Sequence, residues 1–238
     1  MGCGKILRGL RMVSEEVAEL FFPSVCHICG VRLAPGERFV CPACLSALPR
    51  TSYHSRPLNP MEQRFAGLFP FERATGHFFY SRDSALSELI QDMKYRGFPE
   101  IGKTLGRLVG SELWPVSFFD GIDFIMPVPM HISKKRRRGY NQTEMIAVGL
   151  SEVTGIPVSN DLRAVRPHKT QTALSLAERR ANTTSLFRLR EPGTYDGRGV
   201  LVVDDVCTTG STLTAAAEAM LQAAPGAKVS MLTLAVTF

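Results

Sequence analysis

Apolar positions along the chain fall into distinct regimes. Over residues 1–22, Ile6, Leu7, Leu10, Val13, Val17 and Leu20 recur at steps of three and four, the period of an amphipathic helix, which Pro23 closes. Residues 26–48 show no such period and are rich in turn formers and cysteine, and residues 49–61, polar and carrying Pro49, Pro57 and Pro60, read as a linker. The Phe- and Tyr-rich runs at 65–71 and 76–80 predict a short hairpin. Beyond them helical and apolar runs alternate. Helices are predicted over 85–94, 100–113, 141–153, 174–185 and 211–223, and strands over 122–129, 200–203 and 228–238. Such alternation predicts an α/β fold, a parallel-centred sheet flanked by helices. The expected domains are an N-terminal helix and cysteine module over 1–57 and the α/β domain over 58–238.

Composition narrows the function classes. With 238 residues, 45% hydrophobic and 21% charged, the chain has the balance of a globular protein and excludes disordered and fibrous classes. No stretch approaches about 18 consecutive apolar residues, which excludes a membrane-spanning helix. Glu15, Glu16 and Glu19 stand where a secretion signal needs an apolar run, and Ile6 stands where myristoylation wants Ser or Thr, so a cytoplasmic location is expected. The net charge of +6 favours anionic partners, phosphorylated small molecules or nucleic acid alike.

The richest stretch is 199–213. An all-apolar strand, Val200-Leu201-Val202-Val203, runs into Asp204 and Asp205 and then into Thr208-Thr209-Gly210-Ser211-Thr212 at the start of a helix. Apolar strands without alternation sit in the middle of parallel sheets, and ligands bind at the carboxyl ends of such strands. Amide and hydroxyl groups at a helix N-terminus make an anion cradle. Acids beside such a cradle suit a sugar phosphate. The carboxylates accept from ribose hydroxyls and help to hold Mg²⁺, while the turn takes the phosphate. The plainer alternative is an acidic turn followed by a capped helix.

The segment 202–212 resembles the phosphoribosyl-pyrophosphate (PRPP) motif of type I phosphoribosyltransferases. Three further segments resemble, more narrowly, the ComF family. They are Met93-Lys94-Tyr95-Arg96-Gly97; Pro127-Val128-Pro129 with Arg138-Gly139-Tyr140-Asn141-Gln142; and Lys169-Thr170-Gln171-Thr172 with Leu174, Glu178-Arg179-Arg180 and Asn182. That family carries a four-cysteine module ahead of a type I phosphoribosyltransferase-like domain. The resemblance implies a bacterial protein associated with natural competence and the handling of imported single-stranded DNA. It also implies that Asp204 and Asp205 hold the ribose hydroxyls and that Thr208, Thr209, Gly210, Ser211 and Thr212 cradle the 5′-phosphate.

Five consecutive cations, Lys134 to Arg138, follow the 122–129 strand. Charge pattern alone leaves three readings: a pyrophosphate loop, a single-stranded nucleic-acid patch aided by Tyr140, or a solvated loop. Arg138 and Gly139 match the family pattern. The segment around Lys169 reads as a loop closing over the ligand, or as the approach to a capped helix. Lys94 and Arg96 also suit an exposed helix end.

Cys26-His27-Ile28-Cys29 and Cys41-Pro42-Ala43-Cys44 are two C-x-x-C pairs. Two such knuckles complete a tetrahedral Cys₄ site with no open position, so Cys26, Cys29, Cys41 and Cys44 are expected to bind structural Zn²⁺ rather than to do chemistry. Cys207, inside the phosphate turn, reads as filling a small-residue slot. Two functions therefore stand side by side. One is Mg²⁺-dependent displacement of pyrophosphate from PRPP by an unnamed acceptor. The other is a non-catalytic protein that keeps the phosphate pocket and engages single-stranded DNA or a competence helicase.

Overall fold

The computed structural model describes residues 24–165 and 186–237. The helices expected over 1–22 and 174–185, and Lys169, lie outside the described residues. Two compact units divide between Leu48 and Pro49.

In the first unit, Val25 bridges Arg32 in antiparallel fashion. The Cys26 N–H donates to the Val31 carbonyl at 2.8 Å and the Gly30 N–H to the Cys26 carbonyl at 2.9 Å, which closes a tight knuckle. Helix α1 (Pro42–Ser46) starts on Cys41 as its N-cap.

The second unit contains strands β1 (Arg73–Phe79), β2 (Phe124–Pro127), β3 (Leu162–Ala164), β4 (Phe187–Leu189), β5 (Gly199–Cys207) and β6 (Lys228–Val236), with helices α2 (Pro60–Phe65), α3 (Ala85–Tyr95), α4 (Glu100–Leu113), α5 (Ile132–Arg138), α6 (Gln142–Thr154) and α7 (Ser211–Ala223). The main sheet runs β1-β6-β5-β2 with all pairings parallel, and β3 and β4 form a separate antiparallel pair. Val200 to Val203 are wholly buried at its centre, as their unbroken apolar run predicts. Side chains alternate between the faces of a sheet. Val200, Val202 and Met231 join Leu213, Ala216, Ala217 and Met220 of α7 in one core. Helices α4 and α6 pack on each other, and α6 packs on β2 and β5.

Three expectations are corrected. No hairpin forms at 65–80: Phe65 ends helix α2, which Asn59 caps by accepting from the Met61 and Glu62 N–H groups, and residues 66–69 turn rather than extend. Strand β1 instead pairs with β6. Nor is 49–61 a free linker. The Thr51 N–H donates to the His77 carbonyl at 2.9 Å and the Phe79 N–H to the Pro49 carbonyl at 2.8 Å, which ties this stretch to β1 and sets the division of units earlier than residue 57. Finally, the basic run is helix α5 rather than a loop. Its cations fall in the last turn, where they offset the partial negative charge of the carbonyl end.

Helices α4 and α6 meet backbone to backbone. A Cβ on Gly149 would sit 2.2 Å from the Lys103 carbonyl oxygen, and one on Gly106 would sit 2.3 Å from that of Ile146. Lys103 and Arg107 both pair with Glu152 across this seam at 2.6 Å. Helix propensity alone favours Ala over Gly by about 1 kcal/mol, yet Gly149→Ala is expected to lower stability by about 1–3 kcal/mol through overpacking. Urea unfolding checks this, and an unchanged or higher midpoint would contradict the close approach.

Candidate functional site

Strand β5 carries Asp204 and Asp205 within its own span, so pairing continues past both acids. As successive strand residues they project to opposite faces, and both border a cleft of about 270 Å³ at the carboxyl end of the sheet. Thr212 of α7, Arg138 of α5, and Ala164, Leu186 and Phe187 around the β3–β4 pair complete its walls.

Asp205 is 5% exposed, and both its oxygens are engaged. The Lys94 ammonium donates to Oδ1 at 2.9 Å and the Gln142 amide to Oδ2 at 2.8 Å. Arg138 in turn donates to Gln142 Oε1 and lies 5.1 Å from the centre of the Tyr95 ring. A chain of polar contacts thus runs from Arg138 through Gln142 and Asp205 to Lys94. Burial disfavours the Lys94 charge, but the Asp205 carboxylate outweighs it and the ammonium pKa is raised. Asp204 is in the opposite position. Burial, with the neighbouring Asp205 charge, pushes its pKa up to about 7, against the Asp205 N–H that donates to its Oδ1 at 2.8 Å.

The Thr208–Thr212 turn joins β5 to α7. Thr208, Thr209 and Ser211 are exposed, and Gly210 is the buried N-cap at φ +80. Glycine is required there twice over, by the left-handed backbone and because a Cβ would lie 2.8 Å from the Phe65 ring. The first amides of α7 have no partners within the helix, as at any helix start. Arg64 of α2 braces the turn from outside, donating to the Thr208 carbonyl and, at 2.9 Å, to that of Thr237. Burial pushes the Cys207 thiol up, in keeping with a packing role.

Of the residues expected from sequence, Asp204, Asp205, Thr212 and Arg138 border one cleft, while Thr208, Thr209, Gly210 and Ser211 form the adjoining turn. Gly139 serves as the C-cap of α5 at φ +88 and does not border the cleft. Sequence reasoning gives Lys94 little weight, yet it holds the central ion pair. Its place in the Met93–Gly97 motif is the signal that points to it. The bracing by Arg64 and the β3–β4 wall leave no recognisable pattern in the sequence.

Cys26, Cys29, Cys41 and Cys44 converge, with their sulfurs within 4.8 Å of one another. The Cys29–Cys41 separation is 3.8 Å, and four sulfurs at tetrahedral Zn–S distances stand about 3.8 Å apart. Although burial opposes it, backbone N–H donors including that of Cys41 bring the Cys26 thiol down to about 6, whereas hydrogen bonds with Cys29 and the other thiols push Cys44 up to about 12. Four cysteine sulfurs so close can ionise together only around a cation, and the donor set fits Zn²⁺.

The sequence model of the phosphoribosyl transferase domain matches residues 121–235. The chain is 31% identical over 202 residues to DNA utilization protein YhgH of Escherichia coli O157:H7, spanning 83% of this chain and 84% of that one. Competence protein F of Haemophilus influenzae is 36% identical over 133 residues, 54% of this chain and 58% of the relative. Competence protein ComFC of Bacillus subtilis is 26% identical over 160 residues, 65% and 61% of the two chains. A parallel sheet ending in twin acids and a Thr-rich turn, preceded in the sequence by a four-cysteine cluster, agrees with these likenesses, and the chain belongs to the ComF family of competence-associated, phosphoribosyltransferase-like proteins.

Proposed function

We propose that this protein binds a 5-phosphorylated ribose, PRPP or a related compound, in the cytoplasm, in the service of competence and the handling of imported single-stranded DNA. The observation that carries this reading is the junction of β5 and α7. Asp204 and Asp205 border a cleft directly before a turn whose exposed Thr208, Thr209 and Ser211 lead into a helix N-terminus. The turn takes the phosphate through amide and hydroxyl donors. Asp204, whose neighbour is already engaged, accepts from the ribose hydroxyls. Arg138 and Lys134 lie along the cleft for a second anion, the diphosphate in the case of PRPP. The residues present leave Asp204 as the carboxylate for Mg²⁺, since Asp205 is engaged by Lys94 and Gln142. Bound with PRPP, the ion supplies neutralisation of the diphosphate charge. In a transfer reaction the protein's part is positioning and charge stabilisation as pyrophosphate leaves.

A second reading rests on α5. Tyr95, 72% exposed, stands beside Arg137 and Arg138 in a neighbouring basic cleft with Lys134 and Tyr140. Cations with aromatic faces suit single-stranded DNA, gripping phosphates while bases stack. On this reading the fold serves DNA or a helicase partner without turnover, and replacing Arg136 and Arg137 flattens the salt dependence of binding by about one unit per lost phosphate contact.

Calorimetric titration of the purified protein with PRPP tests the first reading. Saturable binding is expected, weakened about tenfold or more by Asp204→Ala through loss of charge-assisted hydrogen bonds. Single-stranded DNA binding without any ribose phosphate binding would favour the second reading instead.

The raised pKa of Asp204 has a definite sign in stability. Its folded value of about 7 lies above the ordinary 3.8, so the folded state holds the proton more tightly, and ionisation costs stability as pH rises across that interval. Asp204→Asn removes the cost. Its stability relative to the parent is expected to be greater at pH 8 than at pH 4, by denaturant unfolding at both, and a gap independent of pH would contradict the raised pKa of this acid.

Elemental analysis is expected to find about one zinc per chain, lost in Cys41→Ser. Iron, or no metal, would count against the Cys₄ assignment.

A further inference from the structure

Acids in a cleft meant for a phosphorylated ligand raise an electrostatic difficulty, since carboxylates repel the anion they must sit beside. A divalent cation is the usual remedy. Here the fold supplies a remedy of its own. The Lys94 ammonium reaches 2.9 Å from Asp205 Oδ1, with the lysine side chain 20% and the aspartate side chain 7% exposed. It arrives from the end of α3, far from β5 in sequence, and its backbone is anchored where the Tyr140 hydroxyl donates to the neighbouring Met93 carbonyl at 2.7 Å. Gln142, the first residue of α6, closes the other side of the carboxylate. Counted over its bordering residues with both acids ionised, the cleft holds the cations Lys94, Lys134 and Arg138 against Asp204 and Asp205, an excess of one positive charge. Without Lys94 that excess vanishes.

We infer that Lys94 is the resident counter-cation of this site, neutralising Asp205 so that a ribose monophosphate is held without a divalent metal ion. The inference rests on the ribose phosphate reading above and deepens it, because it makes the ribose and 5′-phosphate part of the pocket metal-independent and confines any role of Mg²⁺ to the diphosphate of PRPP. Lys94 is thus a positioning residue. It touches Asp205, fixes that carboxylate against Gln142, and leaves Asp204 as the acceptor for the sugar.

Titration calorimetry with ribose 5-phosphate, in EDTA and in excess Mg²⁺, tests this directly on the full chain, with Lys94→Met and Lys94→Arg beside the parent and thermal melts to establish folding. The parent is expected to bind with affinities within about threefold in the two buffers. Lys94→Met is expected to bind about tenfold or more weakly in EDTA and to recover in Mg²⁺, where an added cation replaces the lost one, while Lys94→Arg keeps the charge and binds like the parent in EDTA. Should Lys94→Met fail to fold, the parent's binding in EDTA and that of Lys94→Arg decide the matter. Binding by the parent only when Mg²⁺ is present overturns the inference and leaves the ribose phosphate reading intact. So does undiminished binding by Lys94→Met in EDTA, or a loss in that variant which Mg²⁺ does not repair, the latter marking a merely structural lysine. No binding of ribose 5-phosphate by the parent in either buffer overturns the inference, and absence of PRPP binding as well overturns the underlying reading itself.

Discussion

A carboxylate taken almost wholly out of water must be answered by charge and hydrogen bonds, and Asp205 is answered from two directions. Lys94 comes from α3 and Gln142 from α6, so a single acid at the end of the central strand gathers elements that the sequence holds far apart. Removing one partner of such a pair strands a buried charge, which is far costlier than the pair itself is stabilising. The contact therefore acts mainly as a specification. It fixes where α3 ends, how α6 begins and which carboxylate borders the cleft without a side-chain partner. Asn141 and Thr143 extend the same registry, donating from Nδ2 at 3.1 Å and Oγ1 at 2.6 Å to the Val128 carbonyl just beyond β2.

The rest of the unit holds that arrangement still. Glycine contacts let α4 and α6 lie closer than side chains would allow, and the Glu152 ion pairs span the same seam. On the opposite face, Phe65 packs on Gly210 and Arg64 holds the Thr208 carbonyl in the turn and the Thr237 carbonyl just past β6, so α2 braces the 208–212 turn without bordering the cleft. The residues that border the cleft are thus largely distinct from those that keep the turn and the acids in place.

Much of this is legible in the sequence where one local pattern governs one local outcome. The unbroken apolar run Val200–Val203 suits only a central strand, and the double C-x-x-C spacing brings four sulfurs together. The 211–223 helix follows from its period and the turn before it. Failures come where tertiary contact overrides local appearance. The aromatic runs at 65–80 resemble paired strands, but Phe65 closes α2 and the residues after it run as turns, so only the second run forms a strand. Prolines at 49–61 suggest a free linker, yet backbone bonds to β1 hold the stretch in place. The cations at 134–138 look like a loop because charge has no period, whereas their position after His131 and before Gly139 makes a short helix with its charges at the favourable end. Lys94 is the most consequential omission. At the end of an amphipathic helix a lysine is ordinarily solvated, and only the fold reveals the acid opposite it.

A crystal structure of the protein with ribose 5-phosphate is the most direct test of how the acids and the turn divide the ligand between them. The phosphate is expected against the 208–212 turn, with the ribose hydroxyls donating to Asp204 and the Lys94–Asp205 pair unbroken. A ligand seated elsewhere, or a turn and acids that make no contact with it in crystals saturated with the compound, would contradict that division.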